Sequence, residues 1–440
     1  MLSNLLNMFK VPDLRKKILF VLFIVALYRL GAYIPVPGVD FGEIKKLNES
    51  AQEGVLSLIN LFSGGALSNV AIFALGIMPN ITASIIMQLL AVVIPKLEQW
   101  REEGETGQKK ITQWTRYLTL ILALIQSSGF AYLFSRGNLG SFGGDTNLQI
   151  LGPNPPAWRF ALVVITMTAG TVLLMWLGEL ITQRGIGNGM SLIIFASVVS
   201  TLPSDIAGVW SSDGGQARVL VLLVVGLAMI VGIVFIELGE RRIQVQFAKR
   251  IVGRRMTSGG STYIPLKVNT GGVIPVIFAS SILFIPTLFV GLLPADGIGG
   301  SIAAFVNDRL VNQTSWVYIV VYFLLVIGFS YFYNMIQFDP QRNADFLKKQ
   351  GGYIPGVRPG RATAEYFARV LNRVTLPGAL YLATIAIAPV LVIALWKIPQ
   401  FTFGGISILI TVGVALETMK QIDSQLMMRN YEGFLSTSKS

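Results

Sequence analysis

The sequence predicts an all-α polytopic membrane protein, and three observations carry that prediction. Hydrophobic residues make up 53% of the 440 residues and charged residues only 13%, with a mean hydropathy of +0.63. An ordinary soluble domain is about 25% charged. Ten stretches are apolar over close to the ~20 residues that cross a bilayer, and the charges collect in the segments between them.

The first stretch, Ile18 to Ile34, follows Lys10, Arg15, Lys16 and Lys17 in the manner of a signal peptide. It runs on into YIPVPGVD rather than a small-residue cleavage site, so it reads as a retained helix. Next comes an apolar segment of eight residues, Val55 to Phe62, followed by SGGALSN. Eight helical residues reach about 12 Å, far short of a hydrocarbon core of about 30 Å. Two readings stay open: an interfacial helix, or a re-entrant segment packed inside the bundle and hinged at Gly64 and Gly65.

The second stretch, Val70 to Ile94, contains FALGIMPNITASIIMQ, Phe73 to Gln88. It has no ionisable side chain, yet Gly76, Pro79, Asn80, Thr82, Ser84 and Gln88 interrupt it. That mixture suits a membrane helix facing protein or water rather than lipid. Eight further spans follow, Thr115 to Phe134, Ala157 to Leu177, Gly187 to Ile206, Val219 to Ile236, Gly272 to Leu292, Ser315 to Ile336, Thr375 to Leu395 and Ile406 to Ile422.

With the N-terminus inside, 27 of the 35 Lys and Arg fall in cytoplasmic segments. Both termini are therefore expected inside by the positive-inside rule, as an even number of spans requires. Much of the net +12 is topological and does not point to nucleic acid. There is no Cys and no His, which removes disulfides, thiol catalysis and ordinary zinc sites. Glu179, Glu237, Asp339 and Glu417 fall near cytoplasmic ends. Ion-coupled carriers keep ionisable groups at depth, so the chain reads as neither a coupled transporter nor an enzyme, although a facilitator for a neutral solute stays open. No catalytic residue, metal site or cofactor is expected.

SSDGGQAR, Ser211 to Arg218, divides the chain into residues 1–210 and 211–440, with five spans in each. Because five is odd, the second half must be inverted relative to the first, an arrangement that places a pathway at the interface of the halves. Two long cytoplasmic loops, 239–271 and 337–365, interleave Gly, Pro and aromatic residues with Arg and Lys. They read as ordered protrusions, and GRR and VRPG within them suit an acidic protein surface or RNA phosphates, because guanidinium forks bind oxyanions bidentately.

RLGAYIPVPG (Arg29 to Gly38), FSGGALS (Phe62 to Ser68), ALGIMPNITASIIMQLL, GETGQKKITQWTRY, MWLGELITQRGIGNGMSLIIFA, YIPLKVNTGGVIPVIFASS and ADFLKKQGGYIPGVRPG occur in that order. Together they resemble the SecY family, the channel subunit of the bacterial protein translocon, over essentially the whole chain. The resemblance implies an hourglass pore between two inverted five-helix halves, through which unfolded secretory chains cross and from which membrane segments leave sideways into lipid. It implies a pore ring of Ile77, Ile81, Met190, Ile194, Ile277 and Ile410, and a plug within 55–69 that includes Asn60, Phe62, Gly64, Gly65, Leu67 and Ser68. Ile77/Ile81 and Met190/Ile194 are i,i+4 pairs, which share a helical face.

A lateral gate is implied between spans two and three on one side and seven and eight on the other. Thr82, Gln88, Asn188 and Asn269 are polar candidates for its lining, with ordinary helix-to-helix hydrogen bonding as the alternative. Arg254, Arg255, Lys348, Lys349 and Arg358 are the implied docking residues for the ribosome and the SecA motor ATPase. The family further implies a SecE subunit, commonly a SecG subunit, and residence in the bacterial plasma membrane. Asn80 departs from the family pattern, which has an apolar or aromatic residue there.

Overall fold

The computed structural model describes residues 11–40, 42, 60, 62–136, 150–151, 156–211, 215–247, 250–252, 255–257, 260–292, 305–306, 309–310, 315–396 and 405–437. Its helices are α1 Pro12–Tyr33, α2 Met78–Val93, α3 Pro95–Glu102, α4 Glu105–Arg136, α5 Ala157–Arg184, α6 Gly189–Trp210 and α7 Gly215–Glu237. They continue as α8 Ile274–Leu292, α9 Trp316–Gln337, α10 Pro340–Lys349, α11 Arg361–Trp396 and α12 Gly405–Thr437. Five short strands are β1 Glu240–Phe247, β2 Arg250–Val252, β3 Arg255–Thr257, β4 Ser261–Lys267 and β5 Gly352–Tyr353.

Ten of these helices fall where the ten apolar stretches were expected. Seven are long and apolar enough to span, α4, α5, α6, α7, α9, α11 and α12, and the bent pair α2 and α3 makes an eighth. α1 carries Asp13, Arg15, Lys16, Lys17 and Arg29, and α8 runs over 19 residues, Ile274–Leu292.

The second span departs from its expected limits in an instructive way. Residues 70–77 are turns, and the helix starts only at Met78. Gly76 takes φ +55, and Pro79 sits in the first turn, where its missing N–H costs nothing. Extending the helix upstream would bring the proline ring against the carbonyl four residues earlier. At the other end Ile94 precedes Pro95 and is held extended, with φ −98 and ψ 111. The chain then turns by 101° into α3.

One large apolar cluster runs through the bundle, with buried side chains from α1, α2, α5, α6, α7, α8, α9, α11 and α12. A second backs the turns before α2, joining Leu67, Val70 and Leu75 to Phe130 of α4 and Met167 of α5. Gly170 of α5 makes that approach possible, since a Cβ there would lie 2.0 Å from the Ile72 carbonyl oxygen.

The two long loops, expected as ordered protrusions, are one unit. β4 pairs antiparallel with β1, and β5 from the other loop pairs with the far end of β1. Ile243, Val245 and Leu266 of the sheet pack on Ala344 and Leu347 of α10, Ile354, and Phe367 of α11. This small sheet is added to an all-α membrane body. Phe367 is fully buried, with its ring edge-on to Phe338 at 5.6 Å.

Phe367→Ala should remove about 3–5 kcal/mol from this unit. Limited trypsin digestion in detergent is expected to cut loops 239–271 and 337–365 faster together. Acceleration in one loop alone would show that the sheet does not couple them.

Candidate functional site

The site is built around non-helical backbone packed inside the helix bundle. Every carbonyl and N–H there needs a partner inside the protein. The Tyr28 hydroxyl donates to Ser63 O at 2.8 Å, and the Arg29 guanidinium donates to Gly64 O at 2.8 Å. Within the segment, Gly65 N donates to Asn60 O at 2.9 Å, and Ser68 N donates to the Asn60 side-chain oxygen at 3.0 Å. An isolated bridge between Pro35 and Ala71 ties it to the end of α1, through Val36 N to Val70 O and Ile72 N to Ile34 O.

Burial favours the re-entrant reading over the interfacial one for the described part of this segment. Phe62, Ser63, Ala66, Leu67 and Ser68 are all buried. Residues 55–59 and 61 of the expected plug lie outside the described residues. Gly64 and Gly65 take φ +64 and +84, left-handed conformations that glycine adopts freely. Gly64 is also a point of close approach, because a Cβ there would meet the Tyr28 hydroxyl at 2.8 Å and the Ser197 Cβ at 2.9 Å. Gly65 has open space around it.

All six expected ring residues lie in the large apolar cluster. Ile77, Ile194, Ile277 and Ile410 are buried, and Ile81 and Met190 are partly buried against them. They come from the start of α2, from α6, from α8 and from α12, and Phe62 shares the cluster with them. Ile77 is the N-cap of α2, and its carbonyl accepts from both Asn80 N and Ile81 N at 3.1 Å. The i,i+4 relation to Ile81 survives although residues 70–77 are not helical. Met190 also reaches sideways, with its sulfur 2.6 Å from where a Cβ on Gly178 of α5 would sit.

Two cavities share Asn188 in their linings. One, of about 370 Å³, is lined by Asn188, Glu237, Lys267, Asn269, Glu417 and Lys420 among others. The second, of about 540 Å³, is lined by Asn80, Ser84 and Gln88, one turn apart on α2, and by Asn188, Arg116 and Glu179. Arg116 and Glu179 pair bidentately, with Nε to Oε1 at 2.7 Å. Asn80 thereby acquires a setting: it is 7% exposed, accepts from the Ser84 hydroxyl at 3.3 Å, and belongs to a polar stripe leading up to Ile81 and Ile77.

The four expected gate residues are not gathered in one place. Thr82 turns its hydroxyl back onto Met78 O at 2.9 Å. Asn188 caps α6, accepting from Met190 N and Ser191 N, and borders both cavities. Asn269 donates to Glu237 Oε2 at 3.0 Å and to Gly272 O at 3.1 Å. Gln88 lines the larger cavity only.

Lys348 and Lys349 are exposed in the last turn of α10, where they complement the helix dipole. Arg358 is exposed between Gly356 and Gly360, both at positive φ, and its carbonyl accepts from the Thr363 hydroxyl at 2.9 Å. Arg255 lies on β3 with its side chain outside the described residues, and Arg254 lies outside them altogether. Sequence reasoning missed Tyr28, Arg29 and Ser197. Arg29 carried a usable signal, a lone cation inside an apolar span, which at that depth needs a protein partner.

A SecY family model matches residues 71–419. The protein translocase subunit SecY of Streptomyces scabiei is 50% identical over 447 residues, covering 99% of this chain and all of that one. The same subunit from Corynebacterium glutamicum is 50% identical over 445 residues, with the same coverage. Among solved structures, one described as showing that the plug domain of the SecY protein stabilises the closed state has a TM-score of 0.60 at 19% identity. It covers 92% of this chain and 90% of its own. Sec61 in a canine ribosome-channel complex aligns with a TM-score of 0.54 at 18% identity, over 92% of this chain and 90% of its own.

Gly64→Val should unseat the segment, since it adds both strain at φ +64 and a clash with Tyr28 and Ser197. Because the chain has no cysteine, Ser68→Cys, at a site only 4% exposed, can report it. Labelling by a water-soluble maleimide is expected to accelerate about tenfold or more in the Gly64→Val background. Equal rates would show that the close approach does not hold the segment.

Proposed function

The chain belongs to the SecY family, and on that premise we propose that its six clustered apolar side chains form the constriction of a protein-conducting channel. The family is one of translocation channels rather than enzymes, and the proposal assigns no catalytic residue to this chain. Unfolded secretory polypeptides pass between residues 1–210 and residues 211–440, taken as inverted halves. An apolar constriction resists ions by dewetting yet makes no demand on the sequence passing through it.

The observation that carries this reading is the shared cluster. Ile77, Ile194, Ile277 and Ile410 reach it from four separate elements, and Phe62 of the re-entrant segment lies in it with them. A segment held by two side-chain hydrogen bonds to its backbone, and turned by two glycines, suits a plug that can leave its seat. Polar cavities on the cytoplasmic side supply a wet approach to the apolar ring. The seam between α2 and α4 on one side and α8 and α9 on the other is the proposed exit for membrane segments into lipid.

The positive-inside asymmetry supports a bacterial plasma membrane protein with both termini cytoplasmic. The joined cytoplasmic unit presents Lys348, Lys349 and Arg358 to partners, here the SecA motor ATPase and ribosomal RNA phosphates. SecE and SecG subunits complete the proposed assembly, and the energy comes from the partner rather than from this chain.

A photo-crosslinker at Ile81 is expected to capture a stalled secretory chain; capture only of neighbouring helices would remove Ile81 from the pathway. Arg358→Glu should lower motor-driven transport into reconstituted vesicles by about tenfold, as for loss of one charge-assisted contact. Transport at the parental rate would place docking elsewhere.

A further inference from the structure

α3 lies across the cytoplasmic surface at 101° to α2 and is welded to α4. Leu97 and Trp100 of α3 pack with Met87 and Ala91 of α2 and Ile111 and Leu118 of α4. A Cβ on Gly107 would lie 1.7 Å from the Trp100 carbonyl oxygen, so only glycine permits this fit. The arm is thus a rigid extension of the second and third spans. Arg101, in its last turn, reaches off that unit and donates a hydrogen bond to the carbonyl of Ile336 near the end of α9, the eighth span.

The acceptor is a suitable one for a cation. Carbonyls in a helix's last turn have no intrahelical partner and sit at the negative end of its dipole. α9 has no basic residue in its own last turn, and Arg101 supplies that charge from the opposite side.

The contact also stands between two spaces. A groove of about 930 Å³ runs between the arms, with Ala91, Val92 and Glu98 on one wall and Met335, Arg342 and Lys349 on the other. The 540 Å³ cavity lies behind it and includes Asn80, Gln88 and Asn188. Arg101, Ile336 and Gln337 line both. The Arg101 bond to Ile336 is therefore part of the partition between the outer groove and the inner cavity.

We propose that Arg101 is a positioning residue that latches the cytoplasmic end of the seam, holding the second and third spans against the eighth until the two sides separate. The proposal rests on the reading of that seam as the lateral exit. Separation breaks the Arg101 bond and merges groove and cavity, whereas the latched state keeps a polar wall between them. A guanidinium suits the position because its fixed fork holds direction across a gap.

The absence of cysteine allows a clean test on the full-length chain in lipid nanodiscs. Spin labels at Val92→Cys and Met335→Cys, 53% and 59% exposed on opposite walls of the groove, report its width. In the latched parent the distance distribution is expected to be narrow. Arg101→Ala should raise the population of longer distances about tenfold, as for loss of one charge-assisted hydrogen bond, and Arg101→Lys should restore part of the short-distance population. An Arg101→Ala distribution that matches the parent overturns the latch. Release of a membrane segment into lipid, followed by crosslinking to lipid, is read on the same variants. A wider groove with unchanged segment release supports the latch and overturns the exit reading instead.

Discussion

Two hydrogen bonds, from the Tyr28 hydroxyl to Ser63 O and from Arg29 to Gly64 O, allow the rest of this structure to exist. Lipid and apolar side chains offer a bare carbonyl nothing, so irregular backbone survives at membrane depth only where the protein supplies donors. With those donors on α1, the chain can enter the bundle, turn at Gly64 and Gly65, and begin α2 at Met78. An uninterrupted helix over the expected Val70–Ile94 would leave no such segment beside the apolar cluster. Tyr28 also stacks on Phe73 at 5.9 Å, and Gly31 lets that ring approach α1 closely. Seat and segment are therefore fitted to each other.

The same economy of backbone satisfaction shapes the two long loops. Two loops far apart in sequence close their edge groups by sharing β1 and cover one small apolar core. A loop of this length standing alone would have little to hold it in one conformation. Joined, the two give Arg358 and the α10 lysines a defined base. Beside the apolar cluster the cavities bring amides, hydroxyls and charged groups together with apolar side chains.

Much of the fold was legible because membrane helices advertise themselves: apolar length and the side on which Lys and Arg collect follow from bilayer solvation alone. A helix falls at each of the ten stretches, of which seven or eight are long and apolar enough to span, and the oddity of Phe73 to Gln88 was visible in its Gly, Pro and Asn. What could not be seen was that Pro79 starts a helix rather than kinking one, because that depends on whether the upstream residues find other hydrogen-bond partners. The gate candidates were less legible. Thr82, Asn188 and Asn269 were chosen for polarity, yet each bonds local backbone or, for Asn269, the Glu237 carboxylate as well, and polarity alone does not say which partner a side chain will take. Asn80 was an anomaly until Ser84 and the cavity gave it a neighbour and a space.

By itself the sequence determined the solvent this protein lives in, the order of its apolar segments, the uneven distribution of Lys and Arg between them, and the absence of thiol and imidazole side chains. These are properties of residue type and local spacing, which no folding event can change. Tertiary structure alone decided that Arg29 reaches Gly64, that Ile77, Ile81, Met190, Ile194, Ile277 and Ile410 enter one cluster, that β5 joins β1, and that Arg101 crosses to α9. Each is a contact between elements distant in the chain. Side-chain reach is only a few ångströms, so such pairs are set by how helices pack and by nothing that can be read from either partner alone.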